Sequence, residues 1–461
     1  MKKTKIFYAV QVSNFTQTDL GPMWLLRNDA CTNIMVGIVS TLLKDREDYE
    51  FLIKLPFEED CLDTPNLFEL FDEECHDRIS FLREHIPISP VTSRFNFDMN
   101  FYLEEKIWLS DIDVMINDEN TLTKNWNVFF KSIGMHVPIM STNYFLDSPL
   151  ANKVDEKIRY YERQMESFIN SNIAVFQCEA GMNEAMEAYD ILFKSRDLIK
   201  QKSVWGVGCH AQEIMNYHTN EEYSKPVIYF GNRISDTANR YTNYDSFAEA
   251  IGKLSKITKR KFNAVMLNPT RKVTESQLNE INELSNITDI EFEAIMLNPT
   301  RKVTDKQLNL IKELSNDSVE VMSNKDKFTR EDYLKFINRA HISVNLFVTE
   351  VHGGVTHCEA MLAKNVLVLP NVNNYKTKFE KLDNEYPFLV GVDKEQTHKP
   401  DTDQIAEKLK QSLELYQNDR KEFDRLGEDC FKLAYKYESY ESASNRIQND
   451  IDNLTYTKET L

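Results

Sequence analysis

Short apolar runs rich in β-branched and aromatic residues recur along this chain, each followed by a stretch of helical periodicity. That alternation restricts the fold more than any other feature. Candidate strands are IFYAVQV (6–12), FLIKLP (51–56), DVMIN (113–117), VPIMST (137–142), IAVFQ (173–177) and VWGVG (204–208). A second series follows: VIYFGN (227–232), FNAVML (262–267), FEAIML (292–297), VEVMS (319–323), ISVNLFV (342–348) and VLVLP (366–370). Apolar strands alternating with helices build parallel sheets, so an α/β chain with two doubly wound sheets is expected. The 461 residues suit two or three domains, and only 12 glycines argue against a propeller or an array of tight turns.

Between the two series lies HAQEIMNYHTNEEYSKP (210–226), polar and ending in Pro226, which reads as a linker. The first domain then covers 1–215 and the second 226–430. Beyond Lys399 the segments TDQIAEKLKQSLELYQ and RKEFDRLGEDCFKLAYKYESYESASNRIQNDI have the pattern of long amphipathic helices, and residues 431–461 are expected to pack back on the first domain.

Residues 261–286, KFNAVMLNPTRKVTESQLNEINELSN, recur as 291–316, EFEAIMLNPTRKVTDKQLNLIKELSN, at a period of 30. Each copy reads as a strand, an Asn-Pro turn and a helix capped by Thr274 or Thr304. Two copies do not make a solenoid, so the pair reads as one duplicated βα unit; the alternative is two equivalent NPTRK ligand loops.

The 55 basic and 73 acidic residues give a net charge of -18, which disfavours nonspecific nucleic-acid binding and anionic membrane. The cysteines, Cys31, Cys61, Cys75, Cys178, Cys209, Cys358 and Cys430, are widely spaced and include no C-x-x-C pair, as expected of reduced thiols. The start, MKKTKIFYAVQVSNF, is too short in apolar residues for a signal peptide, and no window spans a bilayer. A cytoplasmic location is expected, in a bacterium or in the host of a virus.

Ligands of open α/β sheets bind beyond the carboxyl ends of the strands. The most informative such stretch is ISVNLFVTEVHGGVTHCEAMLAKNVLVLP (342–370): a buried strand, a Gly353-Gly354 turn, then a helix from about Val355 with Thr356, Glu359, Ala360 and Met361. Glycines at a helix start let backbone amides approach a phosphate, and the helix dipole favours the anion. Glu359, one turn into the helix, is placed to accept hydrogen bonds from a ribose diol.

On Glu350, Gly353, Gly354, Glu359, Ala360, Met361, Ala363 and VLVLP the second half resembles the retaining, nucleotide-sugar-dependent glycosyltransferases of the GT-B fold. Their signature is E-x7-E followed by A-M-A-x-G-x-P-V. Here eight residues separate Glu350 from Glu359, and Lys364-Asn365 replace the glycine. The resemblance implies two Rossmann-like domains facing across a cleft, with C-terminal helices. It implies that Glu359 holds the donor ribose, that Glu350 or His352 lies near the donor sugar, and that the amides of Gly354, Val355 and Thr356 meet the diphosphate. VIYFGNRISDTANRYTNYDSFAEAI (227–251) resembles the family's first donor-domain strand and loop, making Arg233 and Arg240 the cations for the leaving diphosphate; surface arginines are the alternative. Asp147, in VPIMSTNYFLDSP, is either an acceptor-side carboxylate or the cap of an Asp-Ser-Pro turn.

The resemblance implies no metal and no cofactor beyond a nucleotide diphosphate sugar as co-substrate. The acceptor is either a surface glycan or a hydroxymethylated base in DNA, as in phage enzymes of this fold. A non-catalytic nucleotide-sugar-binding protein and a sugar-nucleotide epimerase are the competing functions. Cys75-His76 and Cys209-His210 lack partners at ligand spacing. His357 either touches the donor or packs under the site, KITKRK (256–261) either ends a helix or steers a polyanion, and YYERQMES (160–167) reads as an exposed helical face.

Overall fold

The computed structural model describes residues 3–10, 23, 26–27, 30–58, 66–86, 97–119, 121–143, 158–194, 196–219, 226–231, 243–258, 263–268, 291–296, 330–348, 354–392 and 399–460. The chain divides into two compact units, one formed by Met1–Cys209 with Glu438–Leu461 and the other by His210–Tyr437.

In the first unit the strands are β1 (Thr4–Ala9), β2 (Tyr49–Glu58), β3 (Ile79–Ile86), β4 (Val114–Asn117), β5 (Ile139–Asn143), β6 (Ile173–Phe176) and β7 (Lys202–Val204). They form one parallel sheet in the order β3-β2-β1-β4-β5-β6-β7. β1 shows why this sequence chooses that arrangement. Ile6 and Tyr8 join a core on one face with Ile38, Ile53 and Ile447, while Phe7 and Ala9 join a core on the other with Tyr102, Trp126 and Phe129. A strand buried on both faces needs a continuous apolar run and helices on both sides.

β3 carries Arg83 and Glu84 inside a strand and was not legible as one from its composition. Glu84 is nevertheless buried, because Lys54 of β2 lies 2.7 Å away. β7 stops at Val204, earlier than VWGVG suggests, and Gly206 and Gly208 follow with positive φ. The 160–167 segment is not simply an exposed face: in the Ile158–Asn170 helix Gln164, Met165 and Ser167 are buried.

The last helix, Tyr440–Thr460, belongs to this unit. Trp205 Nε1 donates to Asp450 (2.8 Å), Val207 N–H donates to Glu438 (2.7 Å), and Cys209 N–H donates to the Glu438 carbonyl (2.9 Å). The Tyr440 ring covers Gly37 and Gly208, where a Cβ would overlap it.

The second unit contains β8 (Val227–Phe230), β9 (Asn263–Asn268), β10 (Glu291–Met296), β11 (Ile342–Val344), β12 (Val366–Pro370) and β13 (Leu389–Val390), ordered β10-β9-β8-β11-β12-β13 with parallel pairing. The duplicated strands β9 and β10 are neighbours at one side of the sheet, with Phe292 opposite Ala264. Thr274, Thr304 and VEVMS lie outside the described residues. The start of the expected linker is a helix instead: Ala211–Met215 buries Ala211 and Ile214 within this unit, and Asn338 donates to the Ile214 carbonyl (3.2 Å). The first unit therefore closes at Cys209 rather than near 215, and the second extends to Tyr437 rather than 430.

Both strand orders reverse direction beside the first strand, between β1 and β4 and between β8 and β11. In this topology the crevice for a ligand opens at the carboxyl ends of those strands. Among the described residues no helix is long and apolar enough to cross a membrane.

Candidate functional site

In the second unit β11 ends at Val344, four residues short of the expected end. Side chains take over from the sheet ladder there. Buried Asn345 donates to the Thr356 hydroxyl (3.2 Å), accepts from the Tyr375 hydroxyl (2.7 Å), and its N–H reaches the Val368 carbonyl (3.2 Å). Asn243 holds the Leu346 carbonyl (2.9 Å). These bonds fix the chain entering the Val355–Leu362 helix.

Gly354 is the N-cap, with φ 78 and ψ 175, a conformation open essentially to glycine alone. It contributes no capping side chain to the first turn, which carries Val355 and Thr356. Glu359 follows one turn later, buried to 5% exposure, with Arg330 Nη1 2.7 Å from one oxygen and the Tyr333 hydroxyl 2.6 Å from the other. Gly354, Val355, Thr356 and Glu359 are thus brought together at the carboxyl side of β11. Glu350, His352, Gly353, Arg233, Arg240 and Asp147 lie outside the described residues.

His357 packs beneath this turn. It is fully buried, with Lys378 Nζ 3.0 Å from Nε2 and the Tyr375 ring edge-on at 5.0 Å. Lys364, standing where the family pattern has glycine, adopts a left-handed φ of 61 to leave the helix.

The first unit holds a second polar focus that sequence reasoning missed. Asp118 follows β4 at the switch point, and its N–H donates to the Ala9 carbonyl at the end of β1 (2.9 Å). Its carboxyl is buried, with Thr142 donating to Oδ1 (2.5 Å) and the Tyr8 hydroxyl favouring its ionised form. Burial outweighs the help of Thr142 and Tyr8 and raises the Asp118 pKa to about 7.

Beside it, Lys54 of β2 bridges Glu84 (2.7 Å) and Glu119, whose other oxygen accepts from Trp126 Nε1 (3.3 Å). Burial opposes the Lys54 charge, but Glu119 and Glu84 outweigh it and raise its pKa; burial pushes Glu119 upward. The available signal was N-D-E directly after an apolar run, charged residues at the carboxyl end of a buried strand. Cys75-His76 has no such setting, since His76 bonds locally to the Phe71 carbonyl (3.1 Å). The described cysteines are buried thiols; Cys61 lies outside the described residues.

No family model matches this sequence, and no curated protein matches it. Solved structures do resemble its fold. A glycosyltransferase from Rickettsia africae superposes with a TM-score of 0.60 at 13% identity, covering 98% of this chain and 99% of the other. Sucrose-phosphate synthase from Thermosynechococcus elongatus gives a TM-score of 0.61 at 11% identity, covering 99% and 100%. The Anabaena protein HepE, solved with UDP and glucose, gives 0.56 at 10% identity, covering 98% and 100%. The chain therefore has the α/β architecture of the GT-B glycosyltransferases over essentially its whole length.

Proposed function

We propose that this protein is a retaining glycosyltransferase that moves a sugar from a nucleotide diphosphate sugar to a hydroxyl of an uncharged glycan acceptor. The observation that carries the donor half is the Gly354 turn, which opens a helix start at the switch-point strand, one turn before a buried, ion-paired Glu359. Diphosphate oxygens would meet the amides of Val355 and Thr356, and the ribose diol would meet Glu359. Arg233 and Arg240 would neutralise the leaving diphosphate, and Glu350 or His352 would lie near the sugar.

In the reaction the acceptor oxygen bonds to the anomeric carbon as the bond from that carbon to the phosphate oxygen breaks. The electron pair leaves with the diphosphate, and the acceptor proton passes to the leaving phosphate on the same face. Donors aimed at the developing charge lower the barrier electrostatically.

For the acceptor half, Asp118 offers a buried carboxyl at the corresponding switch point of the first unit, with its pKa raised to about 7. Ionised, it accepts a hydrogen bond from an acceptor hydroxyl and orients the nucleophile. The neighbouring Glu119 and Glu84 outnumber Lys54, a charge balance that suits a neutral polyol better than a phosphodiester chain. HepE, a neighbour of the same fold, was solved with UDP and glucose, which makes a UDP-hexose the first donor to try.

Screening UDP-, GDP- and ADP-sugars by thermal shift, then following nucleotide release with glycan acceptors, tests the proposal. Stabilisation by at least one donor and acceptor-dependent release, both lost in E359Q, are expected. No stabilisation by any nucleotide sugar overturns it, and donor conversion without acceptor would instead assign an epimerase.

A further inference from the structure

The Glu359 carboxylate is held by two residues from one turn of another helix. Arg330 and Tyr333 are three residues apart at the start of the Arg330–Arg339 helix and so share a face, with the guanidinium 5.2 Å from the Tyr333 ring centre. Each donates to a different Glu359 oxygen, at 2.7 and 2.6 Å. Arg330 is itself anchored at its other nitrogen by Glu213, 3.2 Å away. An ionised carboxylate has about four acceptor positions, and these two donors take two of them. A vicinal diol brings two donors.

We propose that Arg330 and Tyr333 are positioning residues that fix the Glu359 carboxylate for the 2′- and 3′-hydroxyls of a ribose, so that the site selects ribonucleotide over deoxyribonucleotide donors. The inference rests on the donor-site reading above. Both donors persist across the working pH range. Burial, reinforced by the Glu359 charge, holds the Tyr333 phenol well above its ordinary range. Arg330 is half exposed, so its desolvation is partial; it opposes the charge, but the Glu359 and Glu213 carboxylates outweigh it and raise the pKa. A carboxylate fixed from two directions gives up little further freedom when a diol binds, whereas a freely rotating one must be ordered by the ligand. The opposite arrangement, in which Arg330 occupies the ribose position as a latch, requires the Arg330–Glu359 pair to break first and reverses the sign of every effect below.

The test is calorimetric titration of UDP, ADP and GDP, each with its 2′-deoxy counterpart, into the full-length wild type, Y333F and R330Q. The wild type should prefer the ribose form of its best nucleotide by about tenfold or more, the worth of a hydrogen bond to a charged group. Both variants should bind that ribose form about tenfold more weakly and lose most of the preference. Y333F changes no shape, so its melting temperature should stay within about a few degrees of the wild type and its binding can be read even if R330Q is poorly folded. Variants that keep the wild-type ratio of ribose to deoxyribose affinity overturn the inference alone, as does tighter binding by R330Q. Failure of the wild type to bind any of the three nucleotides overturns the nucleotide-sugar reading and this inference with it.

Discussion

Asp118 shows how a single buried acid makes stability depend on pH. Its folded pKa of about 7 lies above the ordinary carboxyl value of 3.8, so the folded protein binds more protons there than the unfolded chain between those values. The ionisation cost is therefore absent below about pH 4 and fully present above about pH 7. A rise of that size corresponds to roughly 4 kcal/mol at about 1.4 kcal/mol per pH unit, less the cost of an amide left without a partner in the variant. D118N is expected to unfold in urea at pH 8 with about 2 kcal/mol more stability than wild type, and at pH 4, where only the amide cost remains, with about 2 kcal/mol less. The same variant should lose acceptor-dependent transfer, and in the wild type transfer should rise through pH 7 as the carboxylate ionises; a flat pH profile would remove Asp118 from the reaction. Lys364 offers a contrasting case, since a left-handed φ of 61 is strained for a side-chain residue and its ion pair with Glu428 is exposed. K364G should match or exceed wild-type stability by up to about 1 kcal/mol in the same denaturant assay.

Among the elements, the duplicated unit is the one whose removal can be reasoned about from topology. β10 is separated from the switch-point strand β8 by β9, so a sheet lacking one copy still presents β8 and β11 side by side. Excising residues 268–297 joins Leu267 to Asn298 and regenerates the A-V-M-L-N-P-T-R-K run of a single copy. The shortened protein is expected to fold and to keep its nucleotide-dependent melting shift, measured by differential scanning fluorimetry. Loss of the shift in a folded deletion variant would give the NPTRK loops a ligand role. β3 makes a complementary point: Arg83, Glu84 and His85 hide a strand because Glu84 is neutralised from the neighbouring strand, a pairing that composition cannot reveal.

On the scale of the whole molecule, the net charge of -18 becomes a test of acceptor class. A protein gripping DNA through several phosphates loses affinity by orders of magnitude between about 50 and 200 mM salt. With glycan acceptors, transfer should change less than about twofold over that range, while duplexes containing hydroxymethylated bases should give no transfer at either concentration. Steeply salt-sensitive transfer to such DNA would instead show a basic rim that the net charge conceals. The six-stranded sheet repeats the order of the first six strands of the seven-stranded one, so each unit has a switch point at the carboxyl ends of its central strands, one beside the Gly354 turn and Glu359 and the other beside Asp118.

The amino-acid sequence by itself determined the α/β class, the two series of strands, the duplication and the glycine-to-glutamate stretch of the second half. These are local properties: apolar runs, helical periodicity and turn residues are set by neighbours along the chain. It did not determine β3, the buried Lys54–Glu84–Glu119 group, the burial of Asp118, or the Arg330 and Tyr333 donors on Glu359. Each of these depends on residues far apart in sequence. Lys54 and Glu119 meet across β2 and the end of β4, and Arg330 reaches Glu359 from another helix. A charged residue in a strand reads as exposed until its counter-charge is placed beside it. Only the order of strands in the sheet places it there, and with it decides which carboxylates are left to meet a ligand.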